Sequence, residues 1–236
     1  MPISPLNAVD TLLGLSTDLW PIIHRLSHLL SFKQSLEDAL MAGQLSKATV
    51  LRTELESTSQ AIEIALTNWK PTLTPMSPSS DTDDLDEDRE PVIQDKIEET
   101  RLKSILNNAE AYRHSAFVYL YRTIRSLPRS HSIVQKHTHI SLEACSNVVK
   151  LAEECQNGPM SALLWPLFVA ACEATTPEDR LLAIDAFGGT ERRQGMNNIA
   201  RAWEVVQEVW RRADEGEEDT NWRDICAERG FNIVFG

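Results

Sequence analysis

Wherever apolar residues are dense in this chain, they recur three and four positions apart. Ile22, Ile23, Leu26, Leu29 and Leu30 share one face of a segment opened by Asp18 and Pro21. Ala48, Leu51, Leu55, Ile62, Leu66 and Trp69 form a second stripe. That spacing is the mark of amphipathic helices, whose side chains return to the same face every 3.6 residues. A half-buried strand needs alternation with period two, and no stretch here alternates in that way. The pattern predicts an all-α fold, a multi-helix globular bundle.

The same reading continues after a break. Ile93, Ile97, Leu102, Leu106, Ala109, Tyr112, Ala116, Leu120 and Ile124 predict a helix running to Pro128, where the proline stops it. Within it, Ala116 to Tyr121 is apolar or aromatic all round and is expected to be buried on most sides. Ile133, His137, Ile140, Ala144, Val148, Leu151 and Cys155 predict the next helix, with a turn at Gly158-Pro159. Leu163 to Ala171 reads as a buried core helix. Thr176 as N-cap, Pro177 at the first helical position and Glu178-Asp179 in the first turn open another, and Gly188-Gly189 is expected to close it. Ile199, Ala202, Trp203, Val206, Val209 and Trp210 mark one more. The acidic turn Asp214–Asp219 separates it from a short helix at 222–228, and the apolar tail Phe231 to Phe235 is expected to dock onto the body.

The break itself reads PTLTPMSPSSDTDDLDEDREP, from Pro71 to Pro91. Asp81, Asp83, Asp84, Asp86, Glu87, Asp88 and Glu90 face only Arg89, so this tract holds half of the chain's formal net charge of −12. With almost nothing to bury, it is expected to be a disordered acidic insert. The predicted organisation is one regulatory domain whose N-terminal helical part is 1–70 and whose C-terminal helical part is 93–236, with 71–92 as the linker between them. The seven acids are a candidate interaction segment. A plain solvated linker is the favoured reading, because Leu85 is their one bulky apolar neighbour and acidic activation segments interleave apolar residues with acids.

Several functions are disfavoured by what the residues lack. The acidic balance argues against direct nucleic-acid binding, which needs clustered Lys and Arg to neutralise phosphates. The longest apolar run, Ala162 to Cys172, is far short of the ~20 residues that span a bilayer and contains Pro166. Residues 1–20 lack a basic n-region, so no secretory segment is expected. Four cysteines without a C-x-x-C pair make no disulfide framework and suggest a reduced intracellular setting. His24 and His28 share a helix face but have no third ligand near in sequence, so no metal is expected; His137 falls on an apolar stripe and reads as a satisfied core histidine. Nucleophile elbows, phosphate loops and dinucleotide fingerprints are missing, so the chain is not expected to be an enzyme or to hold a cofactor.

The aromatic residues leave two readings open. Trp165, Phe168, Trp203 and Trp210 fill core between helices, the favoured reading, or line a pocket for a small-molecule effector.

Five blocks carry a resemblance: DTLLGLSTDLWPIIHRLS at 10–27, YRHSAFVYLYRTI at 112–124, LLWPLFVAACEA at 163–174 followed by PEDR at 177–180, GMNNIARAWEVVQEVWRR at 195–212, and NWRDICAERGFNIVFG at 221–236. In that order they resemble the helical fungal-specific transcription factor domain found in the C-terminal part of zinc-cluster (Zn2Cys6) regulators. The pair L-L-W-P-L-F and A-W-E-V-V-x-E-V-W is its most specific part. The resemblance implies a nuclear role in regulating transcription by RNA polymerase II, with other transcription-factor chains or the transcriptional machinery as partners and a possible metabolite effector. The zinc cluster that reads DNA in such regulators needs six closely spaced cysteines. Here Cys145, Cys155, Cys172 and Cys226 are scattered, so DNA recognition is not carried over.

Overall fold

The computed structural model describes residues 19–70, 91–155, 163–194, 197–217 and 220–233. Among them every regular element is helical: α1 (Leu19–Met41), α2 (Leu45–Asn68), α3 (Pro91–Tyr119), α4 (Ser132–Cys155), α5 (Leu164–Glu173), α6 (Pro177–Gln194), α7 (Asn197–Asp214) and α8 (Trp222–Arg229). The all-α reading holds. The seven acids from Asp81 to Glu90, the Gly158-Pro159 turn, and Val234 and Phe235 of the tail lie outside the described residues.

Helices α1 and α2 form an antiparallel hairpin whose turn passes through Gly43, at φ +68. Helix α3 packs along α4, and α4 also contacts α5 and α6. The apolar interior has two main parts. One joins α1, α2, α3 and the start of α4 through Leu26, Leu29, Leu66, Phe117 and Leu120. The other joins α4 to α8 through Leu142, Leu167, Phe168, Val206, Val209 and Ile225. Helix α5 explains itself by composition: from Leu164 to Glu173 all residues but Trp165 are buried, so a ten-residue helix serves as the axis for its neighbours.

Two boundaries differ from the sequence reading. Helix α6 does not end at Gly188-Gly189 but continues to Gln194. The glycines serve packing instead: a Cβ on Gly189 would lie 2.2 Å from Val149 Cγ1, so its absence lets α6 approach α4. The helix expected to reach Pro128 changes form earlier. After Tyr119 the chain takes one π-helical turn, Leu120–Ile124, and then leaves the helix. Ile97, assigned to the buried stripe, is 47% exposed, and its neighbours Lys96 and Glu99 are exposed with it. The start of α6 follows the capping rule: Thr176 Oγ1 accepts the Asp179 backbone N–H at 3.1 Å.

Candidate functional site: a polar cavity at a π-helical turn

The π-helical turn is closed by the Arg125 N–H donating to the Leu120 carbonyl at 3.0 Å, five residues back. The wider turn sends Arg122 and Arg125 to different partners. Arg122 Nε donates to Glu173 Oε2 on α5 at 2.7 Å, whereas Arg125 Nη2 donates to Glu63 Oε2 on α2 at 2.6 Å. Glu63 also accepts the Tyr121 hydroxyl at 2.6 Å. The Arg125 guanidinium holds the Glu63 carboxyl below its usual range, against the opposing effect of burial. Ser126 follows at φ +54, the one non-glycine residue in the left-handed region among those described. Both features, a π turn and a strained serine, recur at functional sites in proteins.

Beside this turn opens a cavity of about 520 Å3. Its walls come from α1 (Lys33, Glu37), the π turn (Arg122, Thr123), Glu173 at the end of α5, and the start of α8 (Trp222, Arg223, Asp224). Lys33 Nζ donates to the Thr123 carbonyl at 2.8 Å and to Ser126 Oγ at 2.7 Å, pinning α1 to the turn. Arg223 lies over the Trp222 ring at 4.2 Å and donates to the Tyr119 hydroxyl at 2.8 Å.

Behind the wall lies a buried group of charges. Glu173 Oε2 accepts from Arg122 Nε and, at 3.2 Å, from Arg129 Nε. Arg129 Nη2 reaches the Thr220 carbonyl at 3.4 Å, while its Nη1 is buried with no partner among the described residues. Gln135 braces the group by donating to the Arg129 and Glu173 carbonyls at 2.7 and 2.9 Å. Two guanidiniums thus share one carboxylate, leaving a local surplus of positive charge in a chain whose net charge is −12. A second cavity, of about 550 Å3, lies on the other side of the π turn between Leu55, Ser59 and Glu63 of α2 and Ile124 and Arg125.

The aromatic residues singled out by sequence sit elsewhere and apart. Trp165 is partly exposed and stacks on Tyr112 at 5.3 Å, packed against the N-terminal part of the core. Phe168 is fully buried in the other part, edge-on to Trp222 at 5.1 Å. Trp210 is buried and donates its ring N–H to the Ala171 carbonyl at 2.8 Å. Trp203, expected in the core, is only half-buried and meets Trp210 edge-to-face at 5.4 Å. Neither cavity is lined by any of these four.

Other candidates from the sequence are also placed. Cys145, Cys172 and Cys226 are buried free thiols; desolvation pushes all three up, Cys145 and Cys172 well above the usual thiol range. Groups of three or more side chains able to hold a metal are missing among the described residues. His24 and His28 face each other on the surface at 3.2 Å. His137 is buried, and its Nδ1 shares a hydrogen bond with His114 Nδ1 at 2.8 Å. Desolvation, with His114 next, pushes the His137 pKa down to about 3. No described helix is long and apolar enough to cross a membrane.

Against known proteins, the family model described as "Fungal specific transcription factor domain" matches residues 2–236. The chain belongs to this family. The domain is also 26% identical over 140 residues to "Arginine metabolism regulation protein II" of Saccharomyces cerevisiae (strain ATCC 204508 / S288c). That alignment takes in 56% of this chain and 16% of the yeast protein's length. No solved structure matches the domain. It is therefore a transcription-regulation domain, from a family defined by regulation rather than by catalysis.

Sequence reasoning missed the cavity. Its one visible signal was Glu173, an acid placed directly after the apolar run that ends at Cys172. A charge attached to a fully buried helix requires a buried partner.

Proposed function

We propose that this domain works in the nucleus as a regulatory and protein-interaction module of RNA polymerase II transcription. Its partners are other transcription-factor chains or the transcriptional machinery, and it makes no DNA contact of its own. The observation that carries this reading is the family match over residues 2–236. The scattered cysteines support the second half: the three described ones are buried protonated thiols, unsuited to share zinc ions. The two helical parts, 1–70 and 93–236, act as one domain in this proposal. Contacts of α1 and α2 with α3 and the π turn support that division.

A reporter assay tests it. Residues 1–236 fused to a foreign DNA-binding module are expected to change transcription from a promoter carrying that module's site. The unfused chain is expected not to retard duplex DNA at physiological salt. Unchanged reporter output, or DNA retention by the unfused chain, overturns the proposal. The acids from Asp81 to Glu90 act in it as a solvated linker, so deleting residues 73–90 is expected to leave reporter output unaltered.

A further inference from the structure

We infer that the exposed face of α1 binds one divalent transition-metal ion through His24 Nε2 and His28 Nε2, with water completing its shell. The two residues stand four apart, so successive helical turns present both rings on one face. Their Nε2 atoms lie 3.2 Å apart, with ring centroids at 4.6 Å and planes at 87°. Nitrogens at that separation, each bound at ~2.0–2.1 Å, subtend about 100–106° at a shared ion. That angle is close to the tetrahedral arrangement zinc takes with imidazole.

One of the two nitrogens carries the proton of their hydrogen bond, so the neutral pair holds one Nε2–H and one Nε2 lone pair. The ion replaces that proton, which passes to Nδ1 of the same ring and gives the other neutral tautomer. Neither Nδ1 is engaged in a hydrogen bond among the described residues, so nothing there fixes the first tautomer. Both rings are exposed, and water reaches the remaining coordination positions. Imidazole suits zinc, copper and nickel among the divalent ions. The net charge of −12 favours any cation at the surface, and Arg25 points about 100° away around the helix.

The other histidine pair does not offer this. His114 and His137 meet through Nδ1 at 2.8 Å, both buried, with Phe117 stacked on His137 at 4.2 Å. Burial denies that pair the water ligands a two-residue site requires. Trp20 stands one turn before His24 on the same face and is 54% exposed, which sets an indole beside the site as an optical reporter. An ion clasped by two successive turns also fastens the part of α1 that delivers Leu26 and Leu29 to the core. The inference does not depend on the proposed transcriptional role.

The test is calorimetry of the full 236-residue chain with copper(II) chloride and with zinc chloride in a buffer that does not chelate. Both ions are expected to bind saturably, copper the more tightly. Copper is also expected to quench the emission of Trp20, read as the difference between the chain and its Trp20→Phe variant. His24→Gln and His28→Gln are each expected to weaken binding by roughly tenfold or more, since losing a ligand costs no less than losing an outer partner. Both side chains are exposed, so these variants keep the fold. Added to His28→Gln, Ser27→His restores a pair three apart on one face and is expected to recover binding. Arg25→His in the same background points away from His24 and is expected not to. Zinc is expected to slow hydrogen exchange across residues 19–30. Copper binding no tighter than about 100 µM overturns the inference. So does binding that ignores both His→Gln substitutions, the mark of an ion held elsewhere, or equal rescue by Arg25→His and Ser27→His.

Discussion

Gly188 and Gly189 are neighbours in one helix with opposite structural demands. A Cβ at Gly188 would rest 3.5 Å from the end of the flexible Arg192 side chain, whereas at Gly189 it would collide with Val149. Gly189→Ala is expected to cost ~1–3 kcal/mol by overpacking. Gly188→Ala is expected to be neutral or to stabilise by up to ~1 kcal/mol through helix propensity. Denaturant melts of the two variants check the pair. From sequence alone the two glycines read as a helix end, because backbone freedom and missing volume leave the same letter. His137 makes a second prediction at this scale. Its neutral form is held by burial, with the neighbouring charges of His114, Lys136 and Arg113 acting in the same direction and Glu63 against. The unfolded chain therefore takes up a proton near pH 6.5 that the folded chain refuses until about pH 3. Stability from this residue is complete above pH 6.5 and declines as pH falls through that window, by at most ~1.4 kcal/mol per pH unit. His137→Gln, which keeps a polar group facing His114 but does not titrate, is expected to flatten the fall in melting temperature between pH 7 and 4.5.

Helix α5 shows how much of the architecture was legible at the level of elements. Its run of apolar residues announced a buried helix, and burial of every residue but Trp165 follows. What the run could not announce was that its last residue, Glu173, would hold two arginines, one from the π turn and one from the loop after it. Side-chain period reports which face of a helix is inward, but not which distant charges meet there. The π turn was hidden for a related reason: the residues that Arg122 and Arg125 reach from it lie on α5 and α2, far away in sequence. Glu173→Ala leaves two mostly buried guanidiniums without their shared carboxylate and is expected to cost ~3–5 kcal/mol. Urea unfolding measures that loss. A cost below 1 kcal/mol would mean that water, rather than Glu173, compensates the pair.

For the molecule as a whole, the α1–α2 hairpin meets the rest largely through α3 and the π turn. Lys33 grips the turn from one side and Glu63 from the other. The turn accommodates one residue more per hydrogen-bonded ring than an α-helix does. Deleting a single residue from 120–124 would let the segment regularise, and each residue of α-helix carries about 100° of rotation. Arg125 would then leave Glu63, and Thr123 would leave Lys33. Such a deletion is expected to loosen the hairpin, seen as faster hydrogen exchange across α1 and α2 while α5 and α7 stay protected. At this place the number of residues acts as an angle, so a change in chain length is read by the fold as a turn of the wrist between its two halves.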